Sequence, residues 1–218
     1  MFFCLCFIYE LLRLGLALDD YWAGIGILIA GACITIFALA TAQRLSCKQL
    51  EFRDPKLTRK YRLVQISDVH IGSRSVGFLR YVVETINTQN PDLIVITGDF
   101  LDAKRVQAED IAPLKNLKAP VYFSIGNHER YAGLDWVIPL LEDAGVVVLR
   151  SQAVKVGELQ LIGIDDAEDK NQVRRELAKI ELDPECFKIL LYHRPLGWES
   201  ALASGTVSYT HLTLPTTR

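Results

Sequence analysis

The stretch Val121-Tyr122-Phe123-Ser124-Ile125-Gly126-Asn127-His128-Glu129 constrains the fold more than any other part of this 218-residue chain. Its first five residues are uncharged, which suits a parallel strand covered on both faces. Gly126 then lets the backbone turn, so that Asn127 and His128 emerge at the strand's carboxyl end. In open α/β sheets that end is where ligands bind. Two earlier segments repeat the design. Tyr61 to Ile66 leads into Ser67-Asp68-Val69-His70, and Asp92 to Ile96 leads into Thr97-Gly98-Asp99. Asp68, Asp99 and Asn127 follow one another at about 30 residues, the length of one strand-helix-strand unit. Three successive strands are therefore expected to set Asp, His, Asp, Asn and His side by side on one edge, with Asp99 on the central strand.

The rest of the chain after Tyr61 alternates in the same way. Val76 to Gln89 has a helical period, with Phe78, Val82, Val83 and Ile86 on one face and Asn90-Pro91 as its stop. Ala108 to Leu117 (broken by Pro113), Leu134 to Ala144, Gln172 to Ile180 and Ser200 to Ala203 are shorter helices. Val146 to Leu149, Ala153 to Val156, Leu159 to Ile164 and Phe187 to Leu191 read as strands, with a hairpin turn at Gly157-Glu158. The last of these ends in Tyr192-His193-Arg194-Pro195, again a histidine at a carboxyl end. The pattern predicts an α/β fold.

Half of the composition is hydrophobic, and the first 45 or so residues carry the excess. Tyr21 to Ala42 holds no charged residue and is long enough to cross the ~30 Å hydrocarbon core of a bilayer as a helix. The small residues Ala40-Thr41-Ala42 would suit a signal-peptide cleavage site, but Asp19 and Asp20 stand where such a peptide needs positive charge. Phe2 to Leu18 is a second apolar stretch, interrupted by Glu10 and Arg13. These stand three residues apart and can pair on one helix face, so a first span forming a hairpin with the second is expected. Arg44, Lys48, Arg53, Lys56, Arg59, Lys60 and Arg62 follow at once. The positive-inside rule then sets everything after Arg44 in the cytoplasm. Residues 1–43 are thus expected to be a membrane region of one or two transmembrane helices, 44–60 a basic linker, and 61–205 the α/β domain. Net charge is −2, so no nucleic-acid partner is expected. The five cysteines include no C-x-x-C pair, which leaves neither a zinc knuckle nor a disulfide framework.

A carboxylate has two oxygens, so Asp99 can touch two divalent cations about 3.5–4 Å apart. Asp68 and His70, two residues apart and so on one side of a strand end, would give one ion an oxygen and a nitrogen. Asn127 and His193 would do the same for the other. Mixed oxygen and nitrogen donors suit Mn, Fe, Zn or Ni rather than Ca. His128 stands beside this set, free to act as a general acid. Asp102, Glu129, Asp165 and Asp166 read as supporting or surface groups, and Arg194 as a phosphate contact or a partner for Pro195.

In order and spacing, Asp68-Val69-His70, Gly98-Asp99, Gly126-Asn127-His128-Glu129 and His193 resemble the calcineurin-like, binuclear metallophosphoesterase family. That family's pattern is D-x-H, G-D, G-N-H-E/D, a lone H and then G-H-x-H. The phrases Gln65 to His70 and Leu191 to Pro195 look most like its membrane-anchored or exported phosphodiesterase branch. The resemblance implies a four-layer α/β/β/α sandwich with Asp68, His70, Asp99, Asn127 and His193 as metal ligands and His128 as the catalytic histidine. It implies two divalent ions and hydrolysis of a phosphodiester by a metal-bound hydroxide; the membrane anchor, by association, favours a phosphodiester, lipid-linked ones included, over a phosphoprotein as the substrate. The G-H-x-H block has no counterpart. Residues 206–218 are rich in threonine, and His211 lacks both the preceding glycine and a paired histidine, so it is not counted as a ligand. The domain is therefore expected to be incomplete at its C-terminus, with 206–218 as a non-family tail and weak activity at best. The alternative is a non-catalytic membrane protein with an incomplete metal site.

Overall fold

Neighbouring residues of the second strand of the α/β domain face opposite ways, and this sets the layering. In the computed structural model, which describes residues 20–42, 44–102, 106–203 and 205–209, the strands divide into two four-stranded sheets. The first contains β1 (Leu63–Ile66), β2 (Leu93–Thr97), β3 (Val121–Ser124) and β4 (Val146–Leu149), all parallel and in that order. The second contains β5 (Gln152–Val156), β6 (Leu159–Gly163), β7 (Phe187–Leu191) and β8 (Thr206–Tyr209). Here β5 and β6 form the expected antiparallel hairpin, turning at Gly157 with φ 61°, and the remaining pairs are parallel. The helices are α1 (Asp20–Ala42), α2 (Val76–Thr88), α3 (Ala108–Ile111), α4 (Asn127–Ala132), α5 (Leu134–Asp143), α6 (Gln172–Leu177) and α7 (Trp198–Ala203).

Every residue of β2 is buried. Ile94 and Ile96 pack with Val82, Val83 and Ile86 of α2 and Val137 and Leu141 of α5, whereas Leu93 and Val95 pack with Leu161, Ile189 and Leu191 of the second sheet. On that sheet's far side Ile162 and Leu190 meet Val173 and Leu177 of α6 and Ala201 of α7. These three apolar layers, formed because alternate strand residues bury opposite faces, give the four-layer α/β/β/α order. The two sheets approach closely at Gly163, where a β-carbon would stand 2.8 Å from the Leu149 carbonyl oxygen.

Local signals explain most element ends. The Ser75 hydroxyl accepts the Phe78 N–H at 3.3 Å and caps α2. Leu79 joins Val82, Val83 and Ile86 in its buried face, and Phe78 is only partly buried, so the face lies about one residue from the expected one. Pro113 divides its segment as anticipated: α3 stops at Ile111 and a 3₁₀ turn covers Ala112–Asn116.

Helix α1 contains an 18-residue window, Gly24–Thr41, with mean hydropathy 2.2 and none of it buried, which is long and apolar enough to cross a membrane. The first span expected over Phe2 to Leu18 lies outside the described residues, as does His211. Residues 206–209, set apart from the domain on sequence, form β8, which pairs with β7 (Ile189 with Val207, Leu191 with Tyr209).

Candidate metal centre

The loops after β1 and β2 continue side by side beyond the sheet. Asp68 N–H donates to Gly98 O at 3.2 Å, His70 N–H to Asp99 O at 3.1 Å and Ile71 N–H to Phe100 O at 2.7 Å. Asp68, His70 and Asp99 all take left-handed backbone conformations, with φ of 55°, 53° and 52°. Such conformations cost of order 1 kcal/mol each in non-glycine residues and persist where the surroundings enforce them. Strand β1 ends at Ile66, so two-residue strand alternation does not align Asp68 with His70. The paired, left-handed loops do, and His70 Nε2 stands 3.8 Å from Asp68 Oδ1.

Asp99 is the hub. Its Oδ1 accepts the His128 N–H at 3.0 Å, and its Oδ2 lies 3.2 Å from His193 Nε2 and 3.8 Å from His128 Nε2. The His193 Nδ1 lies 2.9 Å from the Thr97 carbonyl oxygen. A carbonyl only accepts, so Nδ1 carries a hydrogen and Nε2 is the nitrogen turned to Asp99, the orientation a metal-ligating imidazole takes. Burial works to raise the Asp99 carboxyl, but the His193 ring and the His128 N–H outweigh it and hold it below the usual carboxylate range. Burial likewise opposes charge on His193, yet Asp99 and the Thr97 carbonyl push the ring up to about 9.

Around this hub the donors fall into two sets. His70, Asp99 and His128 bring one ligand atom each within 4.8 Å of one another, and so do Asp68, Asp99 and His193. Asp99 belongs to both. The division differs from the sequence-based pairing, since Asp68 joins His193 and His128 joins His70. The His70 and His128 rings meet edge to face with centroids 4.7 Å apart. Asn127 opens α4 beside His128 and is half-buried. Carboxylate oxygens and imidazole nitrogens converging on one shared carboxylate fit first-row divalent cations.

Sequence reading understated Glu129. Its side chain is fully buried, and each carboxylate oxygen accepts two backbone N–H groups. Oε2 takes Asp99 and Gly126, both at 2.9 Å; Oε1 takes Phe100 at 2.7 Å and Leu101 at 2.9 Å. Burial pushes this carboxyl above the usual range, against the pull of those donors. Its place three residues after Gly126 carries a local signal, because an acid there reaches back to the N–H of the residue that caps the helix. Asp166 is buried as well: Arg194 Nε stands 2.7 Å away, out of line for a good hydrogen bond, and Arg130 Nη1 donates to its carbonyl at 2.9 Å. Arg194 is thus turned toward Asp166. Asp165 is gripped by Arg150 at 2.7 and 2.9 Å, and Asp102 Oδ2 stands 3.6 Å from His70 Nδ1.

Residues 61–207 match the family model described as calcineurin-like phosphoesterase. The chain belongs to that family. This metallophosphoesterase is 29% identical over 157 residues to an uncharacterised metallophosphoesterase of Campylobacter jejuni, covering 68% of this chain and 42% of that protein. It is 33% identical over 167 residues to a transmembrane protein with metallophosphoesterase domain of Danio rerio, covering 68% and 38%. A shorter match, 34% over 95 residues, is to the UDP-2,3-diacylglucosamine pyrophosphatase of Chlamydia muridarum, covering 39% and 28%. Among solved structures, the phosphopantetheinyl hydrolase of Mycobacterium tuberculosis is similar with a TM-score of 0.45 and 18% identity, over 62% of this chain and 68% of that one. The chain spans about two fifths of the length of the Campylobacter relative and of a Helicobacter pylori metallophosphoesterase.

Proposed function

We propose that this metallophosphoesterase is a membrane-anchored phosphodiesterase working with two divalent cations, in which Asp99 is shared and Asp68, His70, Asp99, Asn127 and His193 are the ligands. The observation that carries this reading is the pair of donor sets that meet at Asp99. When bound, the cations would polarise phosphoryl oxygens and lower the pKa of water, as two-metal sites do. The chain's own residues would do the rest. Thr97 O fixes the His193 tautomer, so that Nε2 faces inward. His128 has 38% of its side chain exposed, against 6% for His193. His70, at 28%, lies between them, so His128 is the most open histidine of the site, and it would hand a proton to the leaving oxygen as a general acid.

A phosphodiester, lipid-linked ones included, is favoured over a phosphoprotein. Its support is the apolar helix α1, together with relatives whose names include a transmembrane protein and a pyrophosphatase of a diacylglucosamine nucleotide. The deciding experiment is hydrolysis of bis(p-nitrophenyl) phosphate by the detergent-solubilised chain. Manganese should be required and EDTA should stop the reaction. Hydrolysis that survives both EDTA and Asp99→Asn would exclude this function.

A further inference from the structure

The structure assigns to Glu129 a positioning role: its buried carboxylate clamps the β2 loop to the start of α4 and so sets where Asp99 is presented. This rests on the two-cation reading of the centre. Capping α4 requires only the Gly126 N–H. The other three donors, Asp99, Phe100 and Leu101, lie 28 to 30 residues away in sequence and belong to the loop that carries the shared ligand. One side chain thus fixes the backbone on both sides of the Asp99 carboxylate, which itself accepts the His128 N–H from the same turn of α4. The clamp closes in a tight space. A β-carbon on Gly126 would lie 2.5 Å from Asp99 N and 2.9 Å from Glu129 Oε2, and one on Gly98 would lie 2.7 Å from Gly126 Cα. Two glycines bring the loops close enough for a single carboxylate to bridge them.

The geometry demands an anion with two equivalent acceptors. Because each oxygen takes two N–H donors, an amide at this position would turn its NH₂ toward two donors in either orientation. Glutamine is therefore nearly isosteric yet a poor substitute. Aspartate keeps the charge but falls one methylene short. Supporting groups that orient metal ligands typically contribute 10–100-fold to affinity when removed, and that is the expected size of the effect.

The test measures manganese affinity and amide hydrogen exchange of the full chain in detergent, for the unaltered protein, Glu129→Gln, Glu129→Asp and Gly163→Ala. Gly163→Ala crowds Leu149 between the sheets, away from the centre, and reports what instability alone does. In Glu129→Gln, manganese affinity should fall about 10–100-fold, and the pair of amides that meets the new NH₂, either Phe100 and Leu101 or Asp99 and Gly126, should lose exchange protection, while Val82 and Val83 keep theirs. Glu129→Asp should recover part of both. Gly163→Ala should melt lower with its manganese affinity unchanged. A folded Glu129→Gln chain that binds manganese as the unaltered chain does would overturn the inference. If Glu129→Gln does not fold, the unaltered chain decides. Coupling is reciprocal, so manganese should slow exchange at Phe100 and Leu101, and unchanged rates would overturn the inference. No manganese uptake by the unaltered chain would instead overturn the two-cation reading beneath it.

Discussion

Gly126→Ala isolates the packing on which the centre depends. Gly126 has φ −95° and ψ −178°, extended backbone that alanine adopts freely, so space is the only obstacle. The new methyl would press on Asp99 Oδ1, on Asp99 N and on Glu129 Oε2. None of these can swing aside, because Asp99 N already donates to Glu129 Oε2 at 2.9 Å and both residues are buried. Crowding of this kind costs about 1–3 kcal/mol. Displacing the carboxylate from one of its donors adds roughly 1.5–3 kcal/mol, the usual range for a hydrogen bond to a charged group. The sum, about 2.5–6 kcal/mol, corresponds to a melting temperature lower by roughly 5–24 °C in a domain of this size. Gly163→Ala, equally crowded but against Leu149, should cost only the first part. Thermal melts followed by circular dichroism, with manganese titrations alongside, compare the two. Gly126→Ala should lose both stability and metal affinity. A Gly126→Ala chain that melts and binds manganese like the unaltered protein would refute this packing.

Other outcomes follow from the same geometry. His128→Ala should reduce turnover about 10²–10⁴-fold, as loss of a general acid does, with metal content unchanged; loss of metal together with activity would make His128 a ligand. The neighbours of His193 raise its ring to about 9, so in the metal-free protein it carries a proton at pH 7 that a cation must displace. Metal affinity should therefore climb with pH up to about 9, with proton release at pH 7 detected by calorimetry in two buffers of different ionisation enthalpy. A flat profile would contradict the role of His193. The lysine and arginine run from Arg44 to Arg62 predicts a cytoplasmic catalytic domain. An alkaline phosphatase reporter fused after Arg53 should stay inactive, and activity there would reverse the orientation.

Much of this fold is legible because β2, β3, β6 and β7 are short and buried along their whole length. Leu93–Thr97 and Phe187–Leu191 are bounded by turns and carry no competing helical period, so each stands close to its expected limits. The residues at the strand ends were legible for the same reason: the sheet order β1-β2-β3 brings them level. What escaped is non-local. Asn127–Ala132 has too few residues to show a period, so α4 was not anticipated. The sequence around Glu129 offers its cap to Gly126, but three of its four partners lie on a loop some 30 residues earlier. The left-handed turns at Asp68, His70 and Asp99 also leave little trace, since aspartate and histidine adopt that conformation more often than most residues but far less often than glycine. Arg194 could be placed beside the centre from its neighbour His193, but its partner Asp166 comes from a different loop.

Metal stoichiometry tests most directly whether one carboxylate organises two cations. Manganese bound per chain, determined by equilibrium dialysis at saturating manganese, should approach two for the unaltered protein and fall to none in Asp99→Ala, which removes the donor common to both sets. His70→Ala should lose mainly one ion and regain it with excess manganese. Two ions retained in a folded Asp99→Ala chain, or one or none in the unaltered protein, would contradict the account.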